Sequence, residues 1–532
     1  MKESHQFVIV GAGPAGLQLA YDLDRAGRSY VLLERGAGVG NFFRTFPRRR
    51  TLISINKRYT GYDDPEINLR WDWNSVLGGD GGGSFTNYSK DYFPQADDLV
   101  RYLVDYAEHN RLDVRCNTEV TRIRRSDEGF ELQTRDGATF AGQVLVMATG
   151  VWRPYIPPIE GIEYAEPYTT MSVDPDDYLG QRVLIIGKGN SGFETADTLV
   201  STTAMIHIVS PQPVVMAWKT KFVGHLRALN NNFIDTYQLK SQNVILDADV
   251  ERIEREGDEY VVSFRYSHAA GEIEQLRYDR ILACTGFCFD ASVFDDSCRP
   301  SLVIDERFPA QTSAWEAVGV PGLYFAGAVM QMRDYQQKQS AFIHGFRYNV
   351  RALFRHLERR YQGVPWPARV IEPEPQTLAD AILARANRSS GLWQQTGALC
   401  DLLTVGSDGV RYHEDVATDY AHETLARGHG HYYVITLEFG LELIAAAPDP
   451  LAIERIHKDD VERADQSTGI HPIVRRYCEG TLVAEHHVIE DVLSEWKEPV
   501  HVEPLRAWLE AMLASEPAQT RPVVPSTVGV LP

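Results

Sequence analysis

Phe7-Val8-Ile9-Val10-Gly11-Ala12-Gly13-Pro14-Ala15-Gly16 is the stretch that decides the fold: four apolar residues run straight into three spaced glycines. A short apolar run without alternation is expected of a parallel strand buried on both faces. Gly11 permits the tight turn, Gly13 lets the backbone approach a pyrophosphate, and Gly16 lets the next helix pack close to the strand. Pro14 and Ala15 open that helix, whose N-terminus offers free N–H groups and partial positive charge to phosphates. Leu19 and Leu23 continue it at i, i+4 spacing, and Gly27 can end it. Val31-Leu32-Leu33 is the next strand, with Glu34 at its tip, where a carboxylate can accept hydrogen bonds from a ribose hydroxyl. Strand, helix, strand and acid in this order predict a dinucleotide cradle.

The pattern recurs. Val183-Leu184-Ile185-Ile186 leads into Gly187-Lys188-Gly189-Asn190-Ser191-Gly192, then a helix carrying Phe193, Ala196 and Leu199, then the strand Ile206-His207-Ile208-Val209. Ser210 stands where the first unit has Glu34. A small hydroxyl there accommodates a 2′-phosphate that an acid would repel, and Lys219 and Lys221 lie just beyond, so the second cradle leans toward NADPH. Gly187, Gly189, Asn190, Ser191, Ser210 and Lys219 are the expected contacts. Two cradles imply two dinucleotides. The usual pair is a flavin and a nicotinamide, which predicts a redox enzyme.

Three further segments end apolar strands on glycine: Val144-Leu145-Val146-Met147-Ala148-Thr149-Gly150, Ile281-Leu282-Ala283-Cys284-Thr285-Gly286, and Leu323-Tyr324-Phe325-Ala326-Gly327. A long helix is expected from about Gln339 to Leu357, its N-terminus toward the flavin. These segments resemble the two-dinucleotide-binding-domain flavoproteins, in which an FAD domain is split around an NADPH domain. Gly187-Lys188-Gly189-Asn190-Ser191-Gly192 is similar to the second nucleotide motif of the class B flavoprotein monooxygenases. Gly40-Asn41-Phe42-Phe43-Arg44 sits where they carry a segment near FAD. A closer resemblance, over nearly the whole chain, rests on residues 52–61 (Leu-Ile-Ser-Ile-Asn-Lys-Arg-Tyr-Thr-Gly), Asp72-Trp73-Asn74-Ser75, Asp91-Tyr92-Phe93-Pro94, residues 235–240 and His471-Pro472. These are similar to a family of FAD-dependent oxidoreductase domain proteins of the endoplasmic reticulum.

The resemblance implies an α/β fold of two Rossmann-like domains plus a C-terminal α+β domain. The expected segments are 1–150 (FAD), 151–283 (NADPH), 284–360 (FAD) and 377–532 (C-terminal domain). It implies FAD contacts at Gly11, Gly13, Glu34, Arg35, Asn41, Phe42, Arg44, Val120, Thr149, Gly150, Thr285, Gly286, Gly327 and Gln336. Asn56, with Lys57, is the expected catalytic pair, as donors able to hold an oxygen or a substrate near the flavin. The class oxygenates soft nucleophiles through a C4a-(hydro)peroxyflavin formed from NADPH and dioxygen. N-hydroxylation or N-oxygenation of a small amine or amino acid is the expected reaction. The basic cluster Arg44, Arg48, Arg49, Arg50, Lys57 and Arg58 is then a candidate for a substrate carboxylate. An NADPH-dependent flavin oxidoreductase without oxygen insertion and a flavin-stabilised, partner-binding scaffold are the alternatives.

Two departures narrow the resemblance. Thr170-Met171-Ser172 carries no His before the second nucleotide strand, which argues against Baeyer–Villiger chemistry. The chain begins Met1-Lys2-Glu3-Ser4-His5 and ends Val528-Gly529-Val530-Leu531-Pro532, without the leader or retention tail of the endoplasmic-reticulum proteins, so a cytoplasmic location is expected.

The formal net charge of the 532 residues is −20, which disfavours nucleic acid as a partner. No apolar run reaches the length of a membrane span. A homo-oligomeric state stays open. The six cysteines form no Cys-x-x-Cys, and Cys284 and Cys288, four apart, read as ordinary thiols. His429 and His431 alternate as on one strand face, but no third ligand accompanies them and no metal site is expected. The glycine run 78–83 reads as a loop, Pro154, Pro157 and Pro158 as a hinge, and Pro365, Pro367, Pro373 and Pro375 as a linker.

Overall fold

The computed structural model describes residues 2–78, 83–238, 242–406, 409–449 and 452–515. Most of the glycine-run loop, residues 239–240 of the resemblance and the last residues of the chain lie outside these.

The Phe7–Val10 run forms the C-terminal half of the strand Lys2–Val10, at the centre of a seven-stranded sheet. Tyr30–Leu33 and Thr139–Met147 flank it in parallel, with Val8 opposite Val31 on one side and Leu145 on the other. Such a strand is covered on both faces, and Phe7, Val8 and Ile9 are fully buried. Leu323–Phe325 joins the same sheet, parallel to Thr139–Met147 with Leu323 opposite Leu145, so a segment 178 residues away in the chain completes the first domain. The expected helix is observed as Ile343–Leu357, beginning a few residues later than the sequence suggests, and packs against Pro14–Arg25.

The intervening residues form a second seven-stranded sheet. Arg182–Ile186, Met205–Ser210 and Arg280–Ala283 are parallel, and Val244–Glu256, Glu259–Tyr266 and Ile273–Tyr278 extend it as an antiparallel meander. The chain enters and leaves this unit through a two-stranded ribbon pairing Arg153–Pro154 with Phe287–Cys288.

The C-terminal sheet is antiparallel throughout and six-stranded; its first strand, Arg369–Ile371, lies before the expected boundary at 377. Its central strand, Leu399–Gly406, is buried on both faces. Leu403 and Val405 pack with Leu378, Ile382, Leu505 and Leu509 of the helices Pro375–Arg388 and Pro499–Ala514. Leu399, Cys400 and Leu402 instead join the cluster containing Phe7, Ile9, Leu17 and Leu32. The C-terminal sheet is therefore not set apart, as its proline-rich lead suggests; it closes the core of the first domain. Histidine alternation fails here too, because the strand His431–Glu438 starts only after His429.

A buried ionic cluster pins this junction. Arg351, from the helix Ile343–Leu357, reaches Asp415 at 2.6 Å. Arg385 bridges Asp415 at 3.0 Å and the fully buried Asp401 at 2.9 Å. Asp401 also accepts from the Tyr412 hydroxyl at 2.9 Å and the Asp415 N–H at 3.0 Å. Removing one member strands its partners in low dielectric, which costs about 3–5 kcal/mol. Asp401→Ala is expected to lower stability by that amount in denaturant unfolding followed by circular dichroism.

Candidate functional site

The two cradles are built alike. Gly11 N–H donates to Leu33 and Gly187 N–H to Val209, each at 2.8 Å. Ala148 N–H donates to Val10 and Cys284 N–H to Ile186, again at 2.8 Å, so each crossing strand end lies against its glycine turn. Gly11 and Gly187 hold φ of +106° and +119°, a region that L side chains rarely adopt. A β-carbon at Gly16 would collide with the Gly11 carbonyl, and one at Gly192 with the Gly187 carbonyl, whereas Gly13 and Gly189 face open space. Gly13 and Gly189 precede the helices Pro14–Arg25 and Asn190–Leu199, and neither helix has a side-chain cap. First-turn N–H groups left without a cap beside open space are what a bound pyrophosphate requires.

Glu34 is buried; its carboxylate accepts from Ala12 N–H at 2.9 Å and Gly36 N–H at 2.7 Å, one on each oxygen. The remaining lone pairs are available to a ribose. Along this side runs a cavity of about 340 Å³, lined by Glu34, Arg35, Asn41, Phe42, Val120 and Thr149 among others. The Arg35 guanidinium lies 3.9 Å over the Trp152 ring at its edge. Gly13, Phe42, Ala148 and Thr149 also line a second cavity of about 390 Å³, which reaches Gly150 and Gly327. Gly327 is forced: with φ of +84°, a β-carbon there would stand 2.9 Å from that of Ala15. Ser191, Tyr168 and Phe287 are shared with a third cavity of about 240 Å³, which contains Thr285 and Gly286. The central cavity shares wall residues with each of the other two, and its own wall carries Gly13 of the first cradle and Asn190 and Ser191 of the second.

The central cavity is mostly apolar, with Phe42, Phe46, Phe287, Phe342 and Phe346 in its wall. The uncapped N-terminus of Ile343–Leu357 also faces it. Among the described residues its one carboxylate is Glu194, which accepts from the Tyr168 hydroxyl at 3.1 Å. Burial raises the Glu194 pKa above the ordinary carboxylate value, partly opposed by Tyr168 and Arg49. Sequence reasoning missed Glu194, although it stands one turn beyond Asn190 on the cradle helix and shares its face. Gln331 and Ser54 of the wall were missed as well.

Several expected residues lie elsewhere. Asn56 is buried away from these cavities and donates to the Ser89 and Asp91 carbonyls at 3.0 and 3.2 Å; Lys57 is exposed. Neither lines the three cavities. Arg44 is exposed, over the loop at Gly38, and Gln336 is exposed beside the Tyr335 hydroxyl. Asn190 lines the central cavity, but its amide is engaged: it donates to the Gly224 and His225 carbonyls and accepts from Arg227 and Asn230. Ser210 donates to the Gln212 carbonyl and receives its nearby positive charge from Lys188, which donates to the Ser210 carbonyl at 3.0 Å and pairs with Asp247. Lys221 is directed to the Phe439 ring, and neither Lys219 nor Lys221 is among the hydrogen-bond partners of Ser210. The arginine run does not form a carboxylate pocket. Arg48 donates to the Thr169 and Met171 carbonyls at 3.1 and 2.7 Å, Arg49 to the Val173 carbonyl, and Arg50 to Phe43 and Asp97. Arg48 and Arg49 thus tie the first domain to the turn that follows the strand Glu166–Pro167 of the second sheet.

All six cysteines are free. Burial pushes the Cys284 thiol up to about 12 and raises Cys288 as well, the opposite of a reactive thiolate. Among the described residues no group of His, Cys, Asp and Glu is placed to hold a metal, and no helix is long and apolar enough to cross a membrane.

Two Rossmann-like units that both contribute to the wall of one central cavity define the two-dinucleotide-binding-domain flavoprotein oxidoreductases, a class whose members use FAD and NADPH. A family model, pyridine nucleotide-disulphide oxidoreductase, matches residues 8–327. The chain is 36% identical to FAD-dependent oxidoreductase domain-containing protein 2 of Mus musculus, over 96% of this chain and 84% of that one. It is 35% identical to the Danio rerio protein of the same name, with the same coverage. A flavin-containing monooxygenase from Stenotrophomonas maltophilia superposes with a TM-score of 0.50, covering 67% of this chain and 98% of that one at 21% identity, which shows the shared fold. The chain belongs to the pyridine nucleotide-disulphide oxidoreductase family and, within it, to the group of FAD-dependent oxidoreductase domain-containing protein 2.

The geometry separates the roles of the glycines. Gly13→Ala is expected to fold yet purify without flavin colour, because its methyl occupies only the pyrophosphate space. Gly189→Ala is expected to keep the flavin and lose its reduction by NADPH. Visible absorbance and a thermal melt check both; an unfolded Gly13→Ala or a yellow one contradicts the cradle.

Proposed function

We propose that this flavin-dependent oxidoreductase holds FAD on the first cradle and NADPH on the second, and oxygenates the nitrogen of a small amine. When bound, the flavin supplies hydride acceptance from NADPH and activation of dioxygen; the chain supplies the rest. The open faces at Gly13 and Gly189, the uncapped helices and the free lone pairs of Glu34 fit the two dinucleotides. The observation that carries the amine reading is Glu194, one carboxylate in an apolar wall between the two cradles. A carboxylate there attracts an ammonium substrate. Burial makes it a stronger base than an ordinary carboxylate, the direction that favours drawing the ammonium proton away and leaving the neutral amine that oxygenation needs. The Tyr168 hydroxyl fixes its orientation, and the phenylalanines exclude water. An amine is favoured over an amino acid, because none of Arg48, Arg49 and Arg50 lines the central cavity, where a substrate carboxylate would have to be held.

Anaerobic NADPH is expected to bleach the flavin. Readmitting oxygen with a panel of small amines is expected to give N-oxygenated product by mass spectrometry. NADPH oxidation that yields only hydrogen peroxide with every amine refutes oxygenation and leaves a flavin oxidoreductase.

Glu194 must be ionised to act, so kcat/KM is expected to fall with decreasing pH through a pKa above the usual carboxylate range. Glu194→Gln is expected to lower kcat/KM for amines by about 10²–10⁴-fold, the usual contribution of a positioned acid–base group, and to abolish that acid limb. An unchanged pH profile in the variant excludes the role.

A further inference from the structure

Glu194 belongs to the second domain, but much of what surrounds its carboxylate comes from the first. It stands on the helix Asn190–Leu199, whereas Arg48 and Arg49 follow Phe46 and Pro47, which line the central cavity from the first domain. Tyr168 lies between them. Its oxygen accepts the Arg48 N–H at 3.1 Å, and its hydroxyl donates to the Glu194 carboxylate at 3.1 Å. A phenol has a single proton, and here a main-chain donor on one side leaves the carboxylate as its acceptor. Burial first, and then the Glu194 charge, raise the Tyr168 pKa, so the phenol keeps its proton and stays a donor. The ring is held in place as well. Phe46 of the first domain stacks on it with centroids 6.0 Å apart, and Phe287 meets it edge-on at 6.4 Å.

Arg49 acts through its charge. Its guanidinium donates to the Val173 carbonyl, which fixes it at the domain boundary. Burial lowers the Arg49 pKa, and Glu194 is foremost among the groups that oppose the fall. The influence is mutual. Burial raises the Glu194 pKa, while the Tyr168 hydrogen bond, the Arg49 charge and the Arg49 main-chain N–H all work against it. The Cys284 thiol also faces Glu194, and burial keeps it neutral.

We propose, on the reading of Glu194 as the base, that Tyr168 and Arg49 are positioning residues that hold its carboxylate charged and fixed, so that the first domain completes the base of the second. A carboxylate desolvated in an apolar wall and left without donors takes up a proton and loses its attraction for an ammonium ion. The Arg48 N–H acts through Tyr168, and Arg49 acts on the carboxylate itself. The charge of Glu194 therefore depends on contacts made across the domain boundary.

Tyr168→Phe keeps the ring and removes the donor. The acid limb of its kcat/KM profile is expected to move to higher pH, with kcat/KM about tenfold lower below the limb, the worth of one hydrogen bond to a charged group, and with a deficit that narrows as pH rises. Arg49→Met is expected to move the limb the same way, and Arg49→Lys to bring it part of the way back. Infrared titration of the flavin-loaded protein reads the same group without turnover. The carboxylic C=O band that Glu194→Gln lacks is expected to persist to higher pH in Tyr168→Phe and Arg49→Met. This readout holds whether or not an amine is oxygenated, so it separates failure of the two supports from failure of Glu194 as the base. Flavin absorbance and a thermal melt verify folding, and either variant suffices if the other does not fold. A band that stays in place in the folded variants, a shift to lower pH, or a loss of kcat/KM equal at every pH overturns the proposal.

Discussion

The close approach of helix to strand at the glycine turns is the constraint on which the structure rests. At Gly16 and Gly192 the helix backbone lies so near the preceding turn that no side chain fits between them. That contact aims the uncapped helix ends at the space in front of Gly13 and Gly189. The phosphate sites are therefore properties of main-chain geometry, and the side chains around them are free to decide everything else. The same arrangement appears twice, down to equal hydrogen-bond lengths at the crossing strands.

What relates the two cradles is less regular. Arg48 and Arg49 reach across to carbonyls at 169–173, and the Asn190 amide holds the loop from Gly224 to Asn230. These contacts fix the cavity wall in which Glu194 and Tyr168 meet. An exposed ion pair would contribute little to such an interface. Guanidinium and amide groups bonded to backbone carbonyls hold it through geometry, because each donor has a fixed direction.

Features governed by local sequence were legible. The cradles follow from apolar runs and glycine spacing, and the acid Glu34 from its place at a strand tip. The residues around Asn56 illustrate the limit. Resemblance places that segment near the flavin, and residues 51–54 do line the cavity, but strand and turn geometry then turn Asn56 inward and Lys57 out to solvent. Side-chain direction depends on long-range packing that spacing does not encode. The arginine run fails for the same reason, since its acceptors lie some 120 residues away. Glu194 was the reverse case: its helical register with Asn190 was visible, and only the cavity gave it meaning. The C-terminal strand Leu399–Gly406 carries leucine or valine at alternating and adjacent positions, which announces burial of both faces but does not name the partners.

Those partners matter for how the chain reaches its native state. Leu399, Cys400 and Leu402 lie in one cluster with Phe7 and Ile9, and Leu323–Phe325 stands in the sheet begun by Lys2–Val10. During synthesis the amino-terminal strands leave the ribosome long before the residues that will cover them. They must wait with apolar surface uncovered until about four hundred residues have been made, a period in which chaperone capture competes with aggregation. The inserted sheet is under no such delay, because its strands all come from one continuous stretch and can assemble while the surrounding domain is still incomplete.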